Sequence, residues 1–196
     1  MQSLIKTENE NKREQIFRFF VYRNHAVLKR SAFRASAVDQ GADEEISSGE
    51  VTSEALMNKF EKQEKRIIAI LGTEEVDVTR KTLSTYLKYM KNHVEIPCQL
   101  TGIEDFEWEE PYVFGFRSKK EYEELKKTQP SYKDKFNLIK FVDEIDDYYD
   151  GIFIHVQRIS DKKEFVLPLA DLKSTDRKSK NYQLLDDYSV WFVNNR

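Results

Sequence analysis

The sequence has 196 residues, a formal net charge of −3, 39% hydrophobic residues and 34% charged ones. That supplies one sizeable core, but no stretch approaches the roughly 18 consecutive apolar residues of a membrane span, and MQSLIKTENENKREQ has no apolar leader segment. One cysteine, Cys98, excludes an internal disulfide; its place in the apolar run IPCQL predicts a buried thiol and a cytoplasmic protein.

Charge is spread unevenly. Residues 1–38 hold eight Lys/Arg against three Glu, whereas residues 94–196 hold sixteen against twenty-one acids. The acidic half cannot release counterions from a phosphate backbone, so nucleic acid is not expected except through residues 12–37. There, aromatics mix with Arg and Lys; the apolar positions keep no clean 3.6 period and IFRFFVY is β-prone, which leaves helix and strand both open. DQGADEEISSGEVTSE, polar and acidic, reads as a linker. Two parts are therefore expected: a basic, aromatic N-terminal segment with its linker over 1–54, and a helical domain with a small β-barrel over 55–196.

Thr-Ser-Glu at 52–54 opens a helix that places Leu56, Phe60, Ile67, Ile70 and Leu71 near one face and stops at Gly72. A second helix, TRKTLSTYLKYMKN, is capped by Asp77 or Thr79 and carries Leu83, Tyr86, Leu87 and Met90 at three- and four-residue steps. It ends at Asn92 and His93, where VEIPCQL switches to a period of two with Ile96, Cys98 and Leu100 on one side. PYVFGF reads as a short edge strand begun by Pro111, and SKKEYEELKKT as a short helix. DKFNLIKFV and GIFIHVQRIS are strands, and Asp161-Lys162-Lys163 turns the latter into EFVLPLADL. The C-terminal stretch, helical or extended, buries Leu184, Leu185, Tyr188, Trp191 and Phe192. This order predicts an α+β fold: N-terminal helices, an SH3/Sm-like antiparallel β-barrel and a C-terminal aromatic helix.

Chemistry concentrates in the loop DEIDDYYDG at 143–151, which offers Asp143, Glu144, Asp146, Asp147 and Asp150. Calcium takes six to eight oxygens, and crowded carboxylates supply them. An EF-hand is excluded. With Gly151 at loop position six, Tyr148 falls where a third-position ligand belongs and Gln157 where a bidentate Glu is required. The loop is thus either a hard-cation site of another geometry or a solvated turn. A second acidic stretch, GIEDFEWEE, offers Glu104, Asp105, Glu107, Glu109 and Glu110, and could pool ligands with the first if both lay at one end of the barrel.

Other chemistries find no support. His25, His93 and His155 are scattered and no CxxC pair exists, so zinc is not expected. No phosphate-binding glycine loop, HExxH or GxSxG motif occurs. The protein is read as non-enzymatic.

The order of pieces carries a resemblance. TLSTYLKYMKNHV runs into EIPCQL, an acidic loop precedes GIFIHV, and EFVLPLADL is followed by DDYSVWF. Over roughly residues 79–196 this is similar to the cyanobacterial calcium-binding protein family (CcbP-like). IPC stands where that family has FPF, and Lys91, Asn92 and His93 stand where it has acids at the end of the helix. The resemblance implies an Sm-like barrel and a cytosolic calcium buffer or sensor, with Asp143, Glu144, Asp146, Asp147 and Asp150 as ligands. Glu104 and Asp105 are added here as compensating ligands. Calcium is the expected ion, and a protein partner a further expectation. The rival reading is an interaction module whose acids serve only solubility.

Overall fold

The computed structural model of the protein describes residues 53–145 and 148–196; the N-terminal segment with 12–37 lies outside the described residues. Helix α1, Ser53–Leu71, ends as its sequence predicts. Gly72 adopts φ +69°, which a Cβ disfavours, and its N–H donates to the Ile68 carbonyl at 2.8 Å. Helix α2, Arg80–His93, opens on a capping box: Thr82 N–H donates to Thr79 Oγ1 at 3.2 Å, and Thr79 N–H to Thr82 Oγ1 at 2.9 Å. Of the two candidate caps, Thr79 fills the position. Leu83, Tyr86, Leu87 and Met90 are all buried, as the helical spacing requires.

The sheet comprises β1 (Gln99–Gly102), β2 (Phe136–Phe141), β3 (Phe153–Arg158), β4 (Glu164–Pro168) and β5 (Leu172–Ser174). It is antiparallel throughout, in the order β4-β3-β2-β1-β5. Period-two alternation puts Ile154, Val156, Leu138 and Leu100 inward. They share one core with helix α5, Lys180–Asn194, which contributes Leu184, Leu185, Tyr188, Trp191 and Phe192. Tyr86 of α2 stacks on Trp191 of α5 at 4.7 Å. Asp187, 1% exposed, ties α5 to α1 through Arg66 Nη2 and Nε, each at 2.7 Å, and Gln63 Nε2 at 3.0 Å.

Several expectations are corrected. The sheet is open, not closed into a barrel: among the described residues β4 and β5 are its two edges. The run EFVLPLADL is broken by a 3-10 turn, Leu169–Asp171, which redirects the chain so that the three residues of β5 pair with β1. PYVFGF is not a strand. Glu110–Val113 forms a one-turn helix, α3, in which Pro111 fills an early position whose N–H needs no partner. Phe114 and Phe116 stand exposed, so the alternation of that run faces no core. VEIPCQL becomes strand only from Gln99, with Ile96 59% exposed ahead of a cis Ile96–Pro97 bond. The expected short helix is α4, Lys119–Leu125. Among the described residues no helix is long and apolar enough to cross a membrane.

Candidate metal centre

The loop between β2 and β3 is fastened at both ends by side chains distant in sequence. At its entry, Lys91 Nζ donates to Asp143 Oδ1, and Arg80 Nη1 donates to the Ile145 carbonyl at 2.8 Å. The ammonium of Lys91 holds the Asp143 carboxyl below the usual carboxylate range. At its exit, Gly151 takes φ +79°, and the buried Ile152 N–H donates to the Tyr188 hydroxyl at 2.7 Å. Burial pushes the Tyr188 phenol up, so it stays a neutral donor and acceptor. A Cβ at position 151 would stand 2.7 Å from Phe192 Cζ and 2.8 Å from the Tyr188 hydroxyl.

Position 151 therefore demands glycine twice, for its dihedral and for its space. Gly151→Ala is expected to destabilise the protein by about 2 kcal/mol. Differential scanning calorimetry checks this: a midpoint within a degree of wild type would show that the loop exit is not held as described.

Between the fastened ends, Asp143, Glu144 and Asp150 are exposed, and the rings of Tyr148 and Tyr149 lie 4.2 Å apart, tilted by 32°. Asp146 and Asp147 lie outside the described residues. Among the described residues no group of three His, Cys, Asp or Glu side chains is gathered as a metal site.

The second acidic stretch lies elsewhere. Leu100 of β1 pairs with Phe136, so the end of β1 meets the start of β2. Trp108 Nε1 donates to the Pro130 carbonyl at 2.7 Å, which keeps residues 104–110 at that end. The loop 143–151 leaves the other end of β2, about 17 Å away for a six-residue strand. Glu104, exposed, and Asp105, half-buried, thus do not converge with Asp143 or Asp150, and the two stretches cannot pool ligands for one ion.

Glu109 also departs from the role of a rim ligand. It is fully buried, and both oxygens are taken. Oε1 accepts from the Tyr122 hydroxyl and Ser131 Oγ, each at 2.7 Å; Oε2 accepts from Tyr132 N–H at 2.9 Å and Phe106 N–H at 3.2 Å. Four donors satisfy a buried carboxylate without a metal. Burial and this carboxylate together push the Tyr122 phenol above the ordinary tyrosine value.

Arg80, Lys91, Tyr188 and Phe192 were not singled out as loop anchors by sequence. Lys91 and Asp143 are 52 residues apart, and Arg80 and Ile145 65 apart, so no local spacing signals either contact. Cys98 is buried as expected, and burial raises its thiol pKa, which opposes a reactive role. His93 is stacked on Tyr89 at 3.9 Å, with Nδ1 at 2.8 Å from the Tyr89 carbonyl.

These features define a small α+β protein whose carboxylate-rich loop is bracketed by two helices. Residues 86–192 match a family model of the CcbP kind, described as calcium binding, which covers more than half of the chain. The chain belongs to this calcium-binding family, and Ca2+ is its ion. A solved structure, "The crystal structure of Anabaena CcbP", is similar over 68% of this chain and 90% of that one, with 15% identity and a TM-score of 0.44. No curated protein matches the chain.

Proposed function

We propose that this is a non-enzymatic calcium buffer or sensor whose ion is held by the loop 143–150. The donor chemistry fits: Asp143, Glu144 and Asp150 are hard oxygen ligands on the surface, with Asp146 and Asp147 between them in sequence. The observation that carries the reading is the fastening of both loop ends to the body, by Lys91 and Arg80 at the entry and by Tyr188 at the exit. Fixed ends reduce the chain entropy lost when several carboxylates close on one cation. Glu104 and Asp105, at the opposite end of β2, are left out of the ligand set. The open antiparallel sheet, in the order β4-β3-β2-β1-β5, is the α+β frame that carries the loop between two of its inner strands.

Tyr148 and Tyr149 supply the test. Terbium replaces calcium among oxygen ligands, and a nearby excited tyrosine sensitises its emission. Green emission that rises with terbium and is quenched by added calcium is expected. Absence of sensitised emission in a protein that binds calcium calorimetrically would move the ion away from this loop.

A further inference from the structure

A cleft separates α2 from the start of the loop. The helix side presents Arg80, Ser84, Lys88 and Lys91, and the loop side Asp143 and Ile145. Among the described residues of this lining, the carboxylate of Asp143 shares the cleft with three cationic side chains of one helix, and Lys140 adds its field from β2. Asp143 is 87% exposed, so it needs no internal partner for burial; its pairing with Lys91 comes from where α2 places the ammonium. The Lys91 side chain is 32% exposed, and its ammonium reaches the carboxylate.

We infer that Lys91 is an affinity-determining residue: its ammonium competes with calcium for Asp143, so that the loop binds its ion more weakly than its carboxylates alone would allow. This rests on the loop site proposed above. An ammonium and a calcium ion seek the same oxygen, but the ammonium offers no lone pair to the cation and repels it. Calcium must displace Lys91 to recruit Asp143, or bind without it; either way the charge lowers the affinity. Arg80 has a separate part. Its guanidinium donates to the backbone carbonyl of Ile145, so the loop entry keeps a fastening when Lys91 lets go.

Lys91→Met removes the charge and keeps the stem. Isothermal titration with calcium at constant ionic strength is expected to show binding three- to fivefold tighter than wild type, the size of exposed ion-pair effects. Asp143→Asn should cost more affinity in the Lys91→Met background than in wild type, because only there is the carboxylate free for the ion. A second readout needs no variant. Acetylation of Lys91, followed by mass spectrometry, should quicken on calcium saturation while Lys62 is unchanged. Wild-type binding with Lys91→Met equal or weaker, and Lys91 acetylation indifferent to calcium, overturns the inference and leaves the loop site standing. No calcium heat in any of these proteins overturns both.

Discussion

Replacing Asp146, Asp147 and Asp150 together by Asn is expected to weaken calcium binding at least about a hundredfold. The affinity of oxygen sites is set over decades by the number of ligand charges. Asparagine keeps an amide oxygen in nearly the same volume but removes the charge, so three substitutions leave shape and deprive the ion of most of its attraction. The calcium-free protein should not lose stability. Asp150 is exposed and donates nothing to the core, while the loop anchors, Lys91, Arg80, Gly151 and Tyr188, are untouched. Calorimetric titration with calcium, paired with thermal melts with and without the ion, separates the two effects. An isotherm indistinguishable from wild type would place calcium elsewhere in the molecule. Removal of calcium from wild type should lower its melting point toward that of the variant, since a ligand that binds only the folded state stabilises it by mass action.

Arg158→Ala is expected to destabilise the fold by about 3 kcal/mol, independently of calcium. Arg158 is 3% exposed on the inward face of β3. Its guanidinium gathers the end of α4: Nη1 donates to the carbonyls of Lys126 at 3.1 Å and Gln129 at 2.9 Å, and Nη2 to that of Lys127 at 3.3 Å. Those carbonyls have no helical partner ahead of them, and a cation there also complements the helix dipole. Nε and Nη2 clasp Asp161 at 2.9 and 2.7 Å, and Nη1 reaches Asp134 at 3.0 Å. Truncation leaves these carbonyls with poorer partners around a position that is 3% exposed. For a chain of this size the melting point should fall by roughly 6–12 °C. A fall of less than 2 °C would mean that water replaces the guanidinium without cost.

The same clasp carries a pH signature. Arg158 holds the Asp161 carboxyl well below the ordinary carboxylate range. A folded-state pKa lowered in this way contributes stability above the unfolded value, near 4, and loses it as pH falls toward the folded one. Acid should therefore erode the stability of wild type over this range more than that of Arg158→Ala.

Much of this architecture was legible in the residues because it is local. The capping box at Thr79, the glycine stop at residue 72 and the apolar steps along α2 act within one or two turns, and each stands where its spacing predicts. Strands β3 and β4 likewise follow from a period of two, whereas β2 shifts phase between Leu138 and Lys140, which leaves Ile139 exposed and Phe141 buried. Even Arg158 leaves a trace, as a charged residue in phase with Ile152, Ile154 and Val156 on the inward side. PYVFGF misled because its alternation is real but meets no core; burial, which decides whether a β pattern is used, depends on the rest of the fold.

By itself, then, the order of residues determined α1, α2 and α4, the strands β2, β3 and β4, the carboxylate-rich connection after β2 and the membership of a calcium-binding family. Only the tertiary structure decided that the two acidic stretches lie at opposite ends of one strand. The same holds for Glu109, consumed by hydroxyls and amides inside the protein, and for Lys91, which reaches Asp143 in the loop from α2. The reason is one of range. Periodicity and capping are set by neighbours a few positions apart, whereas the surroundings of a charge are set by elements brought together across fifty residues or more.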